Sequence, residues 1–314
     1  MKGVEIVEDQ GYFSGSPAEL LEALGRGAFD RCGSLVIERK LTALPPEIGR
    51  LKRLRELILD TDTLQTIDPG LFQCAGLVKL VVLSNQIKTL PAGGWAKLKL
   101  LEQLVLTTSN ALRELPEDIG DAPRLGGEFD LRAQTKLAPL PASFGRLAHV
   151  TLLRLAPGLL APDPIAGMLR LRELGLRGVD RLPGDLGALS ELRFLDLSEC
   201  PITALPEDLG AAKLLHTLHL ARTALTSLPE RLGDLPALRE LDLESTPLES
   251  LPESIGRAPL QRLRLQQTAI TRLPVSLATP AGDLRVFLPR EHRAAIEASS
   301  AAVLNALGSR ARFE

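Results

Sequence analysis

Leucine and its aliphatic relatives recur along the chain in a fixed frame, L-x-x-L-x-L-x-x-x-x-[LI]-x-x-L-P-x-x-[LI]-G. Residues 192–210 fill it with Leu192, Leu195, Leu197, Ile202, Leu205, Pro206, Leu209 and Gly210. One unit later Leu215, Leu218, Leu220, Leu225, Leu228, Pro229, Leu232 and Gly233 fill it again, a period of 23 residues. The L-x-L core alternates with period two, which predicts a short strand with one buried and one exposed face. The proline predicts the start of a short helical or 3₁₀ stretch, where a missing N–H costs nothing. The glycine is expected to end that stretch. Acids just after the proline, such as Glu117-Asp118 and Glu207-Asp208, suit the positive end of the turn.

The same frame places strands at Ile37, Leu59, Val82, Leu106, Leu131, Leu155, Leu176, Leu197, Leu220, Leu243 and Leu265, with a degenerate last strand at Leu288. That makes about eleven repeats plus a terminal strand. Spacing is uneven in the middle. Leu106 to Leu131 is 25 residues, and Leu155 to Leu176 and Leu176 to Leu197 are 21 each. The stretch Leu160-Ala161-Pro162-Asp163-Pro164-Ile165 lacks the Leu-Pro step, so a kink or bulge is expected there.

Over roughly residues 30–290 the pattern resembles the leucine-rich-repeat family. The resemblance implies an α/β right-handed solenoid, with a parallel sheet on the concave face and short helices or 3₁₀ turns on the convex one. Single units cannot bury their own leucines, so both ends need covers. Residues 1–33 are read as an N-terminal helical cap, 34–288 as the repeats and 289–314 as a C-terminal capping helix. Ser16-Pro17-Ala18-Glu19 is a capping box opening a helix with Leu20, Leu21 and Leu24. At the other end Pro289 introduces a helix whose Ile296, Val303, Leu304 and Leu307 share a face, stopped by Gly308.

Composition narrows the function. Apolar residues make up 45% but aromatics only 3%, unlike a single globular core. The formal charge of −2 gives no net field toward nucleic acid or an anionic membrane, so neither is expected as a partner. The cations are 28 Arg and 9 Lys, a bias of high-GC bacterial genomes. Cys32, Cys74 and Cys200 are too scattered for a disulfide framework or metal site and are expected to be reduced. Secreted relatives usually close their ends with cysteine-rich flanks, and this chain departs from that. No Sec-type h-region or run of about 18 apolar residues occurs, so a cytoplasmic, monomeric protein is expected. The tidy Leu-Pro-x-x-[Ile/Leu]-Gly units resemble those of bacterial intracellular repeat proteins, including effectors delivered into host cells. Some such effectors join the repeats to a ubiquitin-ligase domain. About 25 residues follow the last strand here, too few for one, so the alternative of a substrate-recognition part needs catalysis outside this chain.

Chemistry is sparse. His149, His216, His219 and His292 have no catalytic motif around them, and the His216/His219 spacing on a strand cannot mimic a helical i, i+4 metal pair. P-loop, dinucleotide and H-E-x-x-H motifs are absent, so no enzyme activity, cofactor or metal is expected. Cys200 falls where many leucine-rich repeats place asparagine, and Asp62, Asn85, Thr223, Thr246 and Thr268 share its slot. The resemblance makes that slot structural, its side chains bonding the backbone of the adjoining turn.

Function in this family usually resides on the strand residues that face the inner curve. The central column reads Val36, Ile58, Val81, Val105, Asp130, Arg154, Gly175, Asp196, His219, Asp242, Arg264 and Phe287, with Leu83 and Thr107 beside its apolar start. An exposed strip of valine and isoleucine is a candidate protein-binding patch. The alternative is that β-branched residues are simply good sheet formers on a shielded curve. Leu152 and Phe194 form a second apolar spot, Phe194 a candidate anchor. Glu240, Asp242 and Glu244 face Arg262 and Arg264, and Asp130 faces Arg154, which predicts mutual neutralisation. A non-enzymatic module binding a protein partner through this face is the expectation.

Overall fold

The structure, a computed structural model, describes residues 3–38, 40–106, 111–159, 165, 167–183, 186–279 and 283–314. Of the irregular stretch at 160–165, only Ile165 lies within them, as a buried residue, and Thr107 lies outside them. Contacts divide the chain into two compact units, one of residues 1–151 and 158–168 and the other of 152–157 and 169–314.

In the first unit β1 (Val4–Val7) and β2 (Gln10–Phe13) form an antiparallel hairpin. Next come α1 (Pro17–Gly25), β3 (Ser34–Glu38), β4 (Ala43–Leu44), β5 (Glu56–Asp60), β6 (Thr66–Ile67), β7 (Lys79–Leu83), β8 (Gln103–Leu106) and β9 (Gly126–Leu131). The chain then enters β10 (His149–Leu155), whose first three residues belong to this unit. β2, β3, β5, β7 and β8 are parallel neighbours in chain order, with Leu35, Leu57, Leu80 and Leu104 in register. Those leucines are at most 3% exposed, as the L-x-L alternation requires.

Residues 3–33, expected to form a helical cap, thus hold a hairpin as well as a helix. The hairpin adds two strands to the sheet ahead of the first repeat, β2 beside β3 and β1 beyond it. In α1 the capping box is present: Ser16 Oγ accepts from the Glu19 N–H at 3.4 Å and Glu19 Oε2 from the Ser16 N–H at 2.7 Å. Leu20 and Leu24 are buried, but Leu21 is 43% exposed, because Ala23 takes the third core position. The 25-residue unit absorbs its extra length inside β9, where Gly127 adopts φ +80°.

In the second unit the remainder of β10 leads through β11 (Glu173–Gly175), β12 (Phe194–Asp196), β13 (Thr217–His219), β14 (Glu240–Asp242), β15 (Arg262–Arg264) and β16 (Arg285–Leu288). All pair in parallel, in order, with Leu153, Leu174, Leu195, Leu218, Leu241, Leu263 and Val286 in one buried row. After β16 the chain forms α2 (Arg293–Ser299), α3 (Ala301–Leu307) and β17 (Ala311–Phe313). The expected single helix is two, broken at Ser300, which has φ −132°. The break is held by Ser300 Oγ, which accepts the Leu273 N–H at 2.8 Å, and by Ser299 Oγ, which donates to the Thr271 carbonyl at 2.8 Å. Ile296, Val303 and Leu307 are buried, whereas Leu304 is half-buried. β17, which the sequence pattern did not announce, adds a parallel strand beside β16.

The Leu-Pro step is followed by 3₁₀ turns such as Glu207–Ala211, Glu230–Asp234 and Glu253–Arg257, each with its proline extended at the cap position. The glycines do not terminate these turns through a left-handed conformation. They lie inside them, because the next turn comes too close for a side chain: a Cβ on Gly233 would sit 2.0 Å from the Ser254 carbonyl oxygen. An acid also caps the neighbouring turn, since Asp118 Oδ2 accepts the Gly94 and Trp95 N–H groups at 2.8 and 3.3 Å.

Candidate protein-binding face

The strand residues between the buried leucines point away from the core, and their register decides which of them meet. In the first unit Val36, Ile58, Val81 and Val105 are direct neighbours on successive strands. Strand spacing of about 4.8 Å makes them a continuous apolar strip. It is unevenly exposed. Val105 is 40% exposed, Val36 and Ile58 are half-buried, and Val81 is only 8% exposed between its neighbours, so the uniform exposure expected of the strip is corrected there. Leu83 is half-buried beside Asp60. Tyr12 extends the strip, aligned with Val36, and was missed because it precedes the first repeat. On one flank Glu56 holds Lys79 at 2.8 Å and accepts from Ser34 at 3.2 Å.

In the second unit Leu152, Glu173, Phe194, Thr217, Glu240, Arg262 and Arg285 form one row. Arg154, Gly175, Asp196, His219, Asp242, Arg264 and Phe287 form the next. Glu173 separates Leu152 from Phe194, and its carboxylate binds Arg154 at 3.0 Å. Phe194 meets the His219 ring edge-on, with centroids 5.2 Å apart. His219 Nε2 lies 3.9 Å from Glu240 Oε1, beyond hydrogen-bond reach. Arg262 binds Glu240 at 3.0 Å and Arg264 binds Asp242 at 3.2 Å, the pairing read from the sequence. Asp242 is 7% exposed and also accepts the Glu244 N–H at 3.0 Å, so it is tied into the strand end. Asp130 is gripped by Arg132 at 2.6 Å.

The polar slot needs one correction. Cys200, Thr223, Thr246 and Thr268 are buried, and each threonine donates to the carbonyl of its own strand leucine at 2.8–2.9 Å. Asp62 and Asn85 are instead exposed and bond each other at 3.4 Å. Thr61 and Ser84, one residue earlier, fill the slot and donate to the Leu41 and Leu64 carbonyls. The later units reach the slot through a left-handed residue just before it, Glu199, Arg222, Ser245 or Gln267, with φ of 54–63°. Asp60-Thr61 and Leu83-Ser84 have no such residue, so the slot comes one position sooner.

The thiols are poor nucleophiles here. Burial pushes Cys74 up to about 11, against a smaller lowering by Lys52, and burial likewise raises Cys200 and Cys32. Cys74 and Cys200 donate to the Ile48 and Leu176 carbonyls. Among the described residues no group of three or more His, Cys, Asp or Glu is placed to hold a metal ion. No described helix is long and apolar enough to cross a membrane.

A parallel ladder of L-x-L strands alternating with short 3₁₀ turns defines a leucine-rich-repeat solenoid. Family models described as leucine rich repeat match residues 52–112 and 191–212. The matched segments carry leucine-rich repeats, and the fold is that of a leucine-rich-repeat solenoid. No curated protein matches it by sequence. Among solved structures, an internalin from Listeria monocytogenes is similar over 84% of this chain and 75% of its own, with 18% identity and a TM-score of 0.58. A TDR receptor is similar over 87% of this chain and 56% of its own, at 22% identity and TM-score 0.58. The Toll–Spätzle complex of Drosophila matches over 82% of this chain and 42% of the other, at 19% identity and TM-score 0.54. At these identities the likeness is one of fold.

Proposed function

We propose that the chain is a non-enzymatic binding module that takes a protein partner on the solvent side of its sheet. The observation that carries this is the aligned strip Val36, Ile58, Val81 and Val105, continued by Tyr12. Scattered apolar surface residues need no explanation, but this strip is continuous in register and opens to solvent at Val105 and, in part, at Val36 and Ile58. Phe194 with Leu152, and the polar residues His219, Asp242 and Arg264, supply a second surface of mixed character, which favours specificity over raw affinity. Leucine-rich repeats commonly serve protein–protein interaction, and the buried, raised thiols give no competing chemistry. A monomer acting in a cytoplasm, as an effector delivered into a host cell, completes the reading, and a translocation reporter fused to the chain tests that part.

The decisive experiment compares proteins captured by the chain with those captured by an Ile58→Glu, Val105→Glu variant, which spares the buried Val81. Loss of one specific protein, with the circular dichroism spectrum retained, is the expected result. Identical captures would remove the strip from the interface.

A further inference from the structure

The row that begins the solvent side of β13–β16 runs Thr217, Glu240, Arg262, Arg285. Glu240 satisfies Arg262 at 3.0 Å, yet the other neighbour of Arg262 in register, on the next strand, is a second arginine, Arg285. Like charges placed side by side destabilise a sheet. Arg285 and Arg239 enter no salt bridge among the described residues. The three arginines, with His216, Thr217, Gln261, Glu240 and Asp283, line one groove of about 620 Å³. Asp283 does not neutralise them: its side chain is 89% exposed and its nearest cation is Arg310, at 3.9 Å.

The geometry points to a carboxylate-binding groove that takes the acidic side chains of an extended peptide segment, with Arg239 and Arg285 as its free forks. This rests on the reading that the sheet face receives a protein partner. A guanidinium presents two parallel N–H donors that match a carboxylate. The groove is far roomier than one small anion needs, and Thr217, Gln261 and His216 add hydrogen-bonding groups suited to a peptide backbone. Arg285, with no salt bridge among the described residues, has nothing to offset its like-charged neighbour in register, and a bound carboxylate supplies that offset.

The test uses the full chain and a fluorescent hexaglutamate peptide at low salt, with hexaglutamine and inorganic phosphate as separate arms. Hexaglutamate is expected to bind and hexaglutamine not to. Arg239→Gln and Arg285→Gln each weaken binding at least about fivefold, through loss of a charge-assisted pair. Arg285→Gln also raises the thermal midpoint of the free protein, which a merely structural arginine would lower. Arg231→Gln, an exposed arginine outside the groove, changes neither readout. Absence of hexaglutamate binding, or binding unaffected by both groove substitutions, overturns the site. Phosphate competing as tightly as hexaglutamate overturns the peptide assignment. Because the probe reports on the groove directly, its failure is separable from loss of the Ile58/Val105 interface.

Discussion

Ser245 and Thr246 show how one pair of residues closes a repeat. Ser245 bears a left-handed φ of 58°, a conformation that costs an L-residue roughly 1–2 kcal/mol. That turn delivers Thr246 into the core at 2% exposure, where its hydroxyl donates to the Leu243 carbonyl at 2.8 Å. Thr246→Val keeps the shape and removes the donor. It is expected to lower stability by roughly 1 kcal/mol in urea denaturation, and Thr246→Ser by less. An unchanged midpoint for the valine variant would mean that packing alone holds the slot. The sequence marked this slot at Thr223, Thr246 and Thr268 because the frame there is regular. It misplaced the slot onto Asp62 and Asn85 because a missing left-handed residue shifts the slot without shifting any leucine.

At the scale of the element, leucine spacing announced the strands of the long sheet within the repeats, since alternation in and out of a core is a demand on the chain alone. It could not announce the short pair β4 and β6, nor β1, β2 or β17, which pair with neighbouring strands outside that alternation. The turn glycines are a similar case. Gly233 marks the end of a motif in sequence, but in space it marks where Ser254 of the following turn presses in. Gly233→Ala is expected to destabilise by roughly 1–3 kcal/mol, because backbone atoms at 2.0 and 2.2 Å from the new Cβ must move. Gly25→Ala, whose Cβ would meet nothing within 4 Å, is the matched control and should be close to neutral. Chemical denaturation of the two variants side by side checks it, and equal effects would return the glycine to a purely conformational role.

Across the whole molecule the candidate face was legible as a list of columns, since register follows from repeat length. Its relief was not. Val81 is nearly covered and Val105 open although both are valines in the same column, because exposure depends on the neighbours on either side and not on the residue. The same neighbour rule governs stability, as each repeat is held by the repeats before and after it. Leu241 is fully buried between Leu218 and Leu263 in the row that joins β13, β14 and β15. Leu241→Ala should cost roughly 2–5 kcal/mol locally. In native-state hydrogen exchange the amides of β13–β15 are expected to lose protection while those of β3 and β5 keep theirs, because Leu241 stands in register with Leu218 and Leu263. Equal loss of protection in both places would show instead that the chain opens as one cooperative unit, and that a substitution anywhere in the leucine rows is felt at the Val36–Val105 strip.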